Sequence, residues 1–173
     1  MTYKINNLMK ANIGKSDIAE FSKKYPLTPK LRKILEGGVM EKNGAIFLTF
    51  LGKGVTNSTI NGVKNSKENS LDSDLTGYEM ILNKLHIDLY IPKKKQVRAY
   101  TLPQGIAFAL ALRDILAKEF SGDSFEIVTS IDEGPDTYPE SCRVSFHKVR
   151  PGERWLRDDL ESYKQNGLLI IAT

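Results

Sequence analysis

Apolar positions along this chain follow two periods. From Pro103 to Phe120, Ile106, Phe108, Ala109, Leu112, Ile115, Leu116 and Phe120 recur at helical spacing over a wide arc. That pattern predicts a helix laid against a sheet and mostly buried. Leu85–Ile91 alternates instead, with Leu85, Ile87, Leu89 and Ile91 on one side and His86, Asp88 and Tyr90 on the other, the pattern of a half-buried strand. Gly44–Leu51 and Phe125–Ile131 are rich in β-branched and aromatic residues and read as strands. Cys142–Val149 is the expected antiparallel partner of Phe125–Ile131. Leu168–Ala172 is fully apolar and closes the chain as a short strand or docked tail. Trp155, Leu156, Leu160 and Tyr163 recur at helical spacing and predict a second helix over Arg154–Lys164.

Terminal signals add the smaller elements. Ser16 is placed to cap a helix over Asp17–Lys24. Thr28 caps another, with Pro29 at its first position, an apolar stripe of Leu31, Ile34 and Leu35, and Gly37-Gly38 as its stop. Residues 1–14 lack a pattern and read as loosely ordered. From Gly52 to Gly77 the composition shifts to Gly, Asn, Ser, Lys and Asp. This reads as a long loop, with a hairpin at Val55–Val63 around Asn61-Gly62. After the turn at Pro92–Lys95, Val97–Thr101 reads as a returning strand. Strands with few intervening helices predict an α+β fold, a mainly antiparallel sheet with helices packed on it, formed by residues 1–173 as one domain.

Composition narrows the class. Of 173 residues, 40% are hydrophobic and 27% charged, a globular balance. The longest apolar-leaning run, Ile106–Leu112, falls well short of the ~20 residues of a membrane span, and Met1-Thr2-Tyr3-Lys4 opens no secretory signal. The single cysteine, Cys142, excludes an intrachain disulfide and a Cys-based zinc site. A cytoplasmic protein with no membrane association is expected. The net charge of +4 is modest, with both signs interspersed.

Catalytic constellations do not assemble. Gly52-Lys53-Gly54 lacks the earlier glycine of a phosphate loop. Cys142 and His147 lie at an odd offset on one strand and so face opposite ways, and Cys142 shares its side with Val144 and Phe146, as a buried inert thiol would. His86 and Asp88 would share a strand face, but zinc needs three or four ligands. Neither metal nor cofactor is expected. The best enzyme alternative is an RNA-cleaving pair of His86 and His147 assisted by one of Lys93–Lys95 or by Lys148; no pattern in the sequence brings them together. Binding, not catalysis, is the expected activity.

Charge is clustered locally. Lys93, Lys94, Lys95 and Arg98 form one basic group, and Lys148, Arg150, Arg154 and Arg157 another. Asp132, Glu133, Asp136 and Glu140 form an acidic loop stiffened by Pro135 and Pro139 and carrying Tyr138; Asp158, Asp159 and Glu161 follow later. A rigid acidic loop with an aromatic suits docking against a basic protein, where charge steers encounter and the ring anchors it.

Three stretches carry a family resemblance: Thr76–Tyr90 (TGYEMILNKLHIDLY), Cys142–Leu160 (CRVSFHKVRPGERWLRDDL) and the apolar end Gly167–Ala172. In these the chain resembles bacterial immunity proteins of the contact-dependent growth-inhibition, or polymorphic toxin, type. The resemblance implies a small cytoplasmic inhibitor that binds the toxin domain of a secreted effector and occludes its active site. Members that this chain resembles are associated with toxins similar to EndoU-type RNA-cleaving enzymes, and some have folds like the Whirly single-stranded nucleic-acid binders. The Lys-Gly-Lys-Ala-type Whirly motif is absent; Gly52-Lys53-Gly54-Val55 is a faint echo of it. The +4 charge departs from the acidic balance of many nuclease inhibitors, so the expected contact residues are Asp132, Glu133, Asp136, Tyr138, Glu140, Asp158 and Asp159. The alternative is a single-stranded nucleic-acid-binding protein, with Trp155, Tyr90 and Tyr100 as stacking candidates.

Overall fold

A computed structural model describes residues 2–64, 74–132 and 141–173. Its elements in chain order are β1 (Thr2–Ile5), α1 (Asn7–Ile13), α2 (Ile18–Ser22), α3 (Pro29–Glu36), β2 (Val39–Lys42), β3 (Ala45–Leu48), α4 (Thr49–Gly52), α5 (Asn57–Lys64), α6 (Leu75–Leu82), β4 (Leu85–His86), α7 (Arg98–Glu119), β5 (Phe125–Asp132), β6 (Cys142–Lys148) and β7 (Asn166–Ala172). Short 3-10 turns occupy Ile87–Tyr90, Lys93–Lys95 and Leu160–Ser162. The fold is α+β, as the sequence predicts.

Five strands form one antiparallel sheet in the order β1-β7-β5-β6-β4. The last strand of the chain therefore lies inside the sheet, between β1 and β5. This explains its unbroken apolar run: Leu169 and Ile171 face one layer, Leu168 and Ile170 the other, and all four are buried. On the inner face, Phe125, Ile127, Ile131, Val144 and Phe146 join Leu169 and Ile171 beneath α7. Helix α7 is apolar on most sides because α2 and α3 cover its far side: Ile18 and Leu31 belong to the same core as Ile106, Phe108 and Leu112. The outer face is capped by Met80 of α6 and by an irregular strap, residues 149–165, whose Trp155, Leu156, Leu160 and Tyr163 pack on Val128, Leu168 and Ile170.

Several sequence expectations are corrected. Of the 1–14 segment, residues 2–14 form an edge strand and a helix, because Thr2–Ile5 pairs with Leu169–Ala172 and Asn6 caps α1. The α2 cap is Asp17, whose carboxylate accepts from Ala19 N, not Ser16. The hairpin lies at Asn43-Gly44, where φ values of 49° and 82° suit a tight two-residue turn between β2 and β3. Asn61-Gly62 sits instead inside α5, which Thr56 caps by accepting from Thr59 N. The 85–91 alternation yields only a two-residue strand before the chain coils, and Leu89 emerges into solvent. Helix α7 starts at Arg98, absorbing Val97–Thr101 and carrying Pro103 within it. The 154–164 spacing belongs to the strap, whose only regular piece is one 3-10 turn. No helix among the described residues is long and apolar enough to cross a membrane.

Candidate functional site

Most partly buried ionisable groups are committed to the fold. Glu79, fully buried on α6, accepts from Ile46 N (2.7 Å) and Lys148 N (2.8 Å) and receives both Arg150 prongs, at 2.6 and 2.9 Å. Arg150 also donates to the Gly44 carbonyl at 2.8 Å. Burial opposes the charge on Arg150, but its hydrogen bonds to Glu79 and the Glu79 charge outweigh burial and raise its pKa. This node locks the hairpin, α6 and the end of β6 together. Asn83 does similar work, accepting from Leu48 N and donating to the Ile46 and Phe146 carbonyls.

Three of the expected contact residues, Asp132, Asp158 and Asp159, lie among the described residues. Asp132 pairs with Arg143 and accepts from Asn166, so its charge is balanced within the sheet. Asp158 pairs with Arg154 at 2.6 Å on the exposed strap, and Asp159 caps the 3-10 turn by accepting from Glu161 N. Glu133, Asp136, Tyr138 and Glu140 lie outside the described residues. Cys142 is buried against α7, and burial pushes its thiol far up. Lys148 pairs with Asp123 at 2.7 Å.

The two histidines stand apart. His86 pairs with Arg143 across β4 and β6, and His147 lies four residues further along β6, roughly 13 Å at the usual rise per residue. The strand ends at His86, so His86 and Asp88 share no strand face. His147 is nearly buried on the outer sheet face. Its Nε2 stands 3.4 Å from the Glu126 carboxylate, and its Nδ1 is 3.0 Å from the Lys148 carbonyl. The His147 hydrogen bond holds Glu126 below its ordinary value against the effect of burial, with the charges of His147, Lys4 and Arg154 adding to it. Trp155 and Leu156 divide the outer face into two small recesses of about 240 and 210 Å3, one beside Arg143 and one beside His147. Both are below the usual size of small-molecule sites, ~300 Å3 and upward.

The larger concavities lie elsewhere, between α3, α4, the 88–96 segment and the start of α7. One groove of about 670 Å3 is floored by Leu27, Tyr90 and Tyr100 and edged by Lys30, Arg32 and Lys95. A second, of about 550 Å3, runs past Ile34, Phe50 and Leu89 between Lys30 and Lys33. The two grooves share Lys30 and Tyr90, and no carboxylate lines either. Leu89 is 67% and Phe50 40% exposed, the former because the 3-10 turn lifts it off the sheet. The Tyr25 and Tyr100 rings meet at 4.6 Å, with Lys24 over the first and Lys95 over the second.

Sequence reasoning finds part of this face, namely Lys93–Lys95 and the stacking candidates Tyr90 and Tyr100. It misses Phe50, Leu89 and the cations of α3, which only the tertiary fold brings beside them. The third stacking candidate, Trp155, lies in the strap on the far side of the sheet.

The family model described as Uncharacterized protein PM0498 family matches residues 4–173, and the chain belongs to that family. No curated protein and no solved structure matches it.

Proposed function

We propose that this member of the PM0498 family is an immunity protein, which binds the toxin domain of a cognate secreted effector in the cytoplasm and neutralises it. The observation that carries the reading is the uncovered apolar face around Leu89, Phe50 and Tyr90. Exposed apolar surface of this kind, rimmed by charge, marks a contact with another macromolecule. The sequence resemblance supports the class of partner. Its three stretches converge in space: Met80, Leu160, Leu168 and Ile170 pack in one cluster, with Trp155 against it.

Co-expression tests this reading. The toxin domain encoded beside this chain is expressed with and without it in a susceptible strain. Survival only with the pair supports the proposal, and equal killing in both removes it. A second reading, binding of single-stranded nucleic acid, is favoured by Tyr90 and Tyr100 lining a groove with Lys30, Arg32 and Lys95. It predicts a salt-sensitive mobility shift of oligonucleotides.

A further inference from the structure

Resting on the immunity reading, we infer that the α3 to α7 face is the docking surface, and that it takes an acidic protein ridge centred on an apolar side chain, outside the partner's RNA-binding cleft. Lys24, Lys30, Arg32, Lys33 and Lys93–Lys95 come from two short segments that contain no carboxylate, residues 21–35 and 89–100. Their summed charge exceeds the net +4 of the chain, so the remainder is net acidic. The grooves between them present Ile34, Phe50, Leu89 and Tyr90. An apolar centre inside a cationic rim is complementary to carboxylates surrounding an apolar knob.

The same chemistry separates a protein from a nucleic acid. The most exposed apolar side chain, Leu89, is aliphatic and offers no stacking plane. Of the two rings that line the larger groove, Tyr100 is packed on Tyr25 with Lys95 over it, which leaves Tyr90 alone there to receive a base, where a strand needs successive stacking rings. The face therefore fits a protein better than a strand of bases. An RNA-cleaving toxin must line its cleft with cations to hold phosphates, and this basic face is repelled there. It docks on an acidic exosite instead.

The test titrates the purified toxin domain with the full chain and three variants: Lys30→Glu/Lys33→Glu/Lys95→Glu, Leu89→Asp, and the strap control Arg154→Glu/Arg157→Glu. All these side chains are on the surface, and thermal unfolding confirms that each variant folds. The triple reversal is expected to weaken the complex about a hundredfold and to flatten the salt dependence of its association rate. Leu89→Asp is expected to weaken it about tenfold. The control stays within about twofold, because the strap lies on the far side of the sheet and its charges act only through long-range steering, and toxin saturated with a non-cleavable RNA binds equally well. If the wild type fails to bind, the immunity reading falls and this surface with it. Tight wild-type binding that the reversal leaves intact keeps the immunity reading and overturns the surface. Competition by RNA overturns the exosite. A saturable shift of single-stranded RNA at physiological salt, lost in the triple variant, gives the face to nucleic acid and overturns the protein partner.

Discussion

Gly105 and Cys142 are in direct contact where α7 crosses β6: a Cβ added to Gly105 would lie 2.6 Å from the Cys142 sulfur. The lone cysteine of the chain is thus a spacer, and its neighbour must be glycine for the helix to approach the sheet so closely.

That contact makes a stability prediction. Gly105→Ala gains helix propensity of ~1 kcal/mol but overpacks the crossing, which costs about 1–3 kcal/mol. The substitution is expected to be net destabilising. Adding Cys142→Ala vacates the space, so the double variant should be more stable than the sum of the single effects predicts. Urea denaturation of the four proteins checks it; strict additivity would contradict the close contact.

Glu79 and Arg150 supply the second prediction. Removing Arg150 leaves the Glu79 carboxylate buried without its counter-charge, and removing Glu79 leaves Arg150 with the more distant Glu153, at 3.9 Å. Glu79→Gln and Arg150→Met should each cost about 3–5 kcal/mol by chemical denaturation. The hairpin should loosen with them, seen as faster amide exchange at Ile46, whose N–H donates to Glu79. Full amide protection at Ile46 in Glu79→Gln would show that the node does not hold the hairpin.

The third concerns pH. Glu126 is held below its ordinary value of 4.5 by His147, so folding is favoured by its charged form. A carboxyl with a lowered folded pKa contributes fully above its unfolded value, and the contribution is lost as pH falls through the folded one. The stability gap between wild type and Glu126→Gln should narrow as pH falls below about 4.5, as the carboxylate takes up its proton. A gap that does not narrow at all on acidification would contradict the pairing.

The core was more legible in the sequence than the surface. Thr28-Pro29, the arc of Ile106–Leu116 and the paired strands Phe125–Ile131 and Cys142–Val149 each combine a strong local signal with the burial that the fold gives them. The failures share one cause, a local pattern that tertiary contacts override. The hairpin expected at Asn61-Gly62 lies instead at Asn43-Gly44, whose flanks pair as strands, whereas Ile60 and Val63 flank Asn61-Gly62 at helical spacing and pack against the hairpin. Leu89 completes an alternation but follows the end of β4, so an apparent core residue became the centre of the candidate site. Nothing local could join Phe50, Leu89 and Lys30, which come from three distant segments. Among the described residues of the expected acidic set, Asp132 pairs with Arg143 and Asp158 with Arg154, partners that the charge clusters alone did not indicate.

An immunity protein acts only by binding its toxin domain. Isothermal titration of the purified chain into the toxin domain of the neighbouring effector measures it directly. A saturable one-to-one complex with a dissociation constant of about 1 nM or tighter is expected, together with loss of the toxin's RNA cleavage at stoichiometric ratio. No heat of binding at micromolar concentrations, with cleavage undiminished, would contradict it.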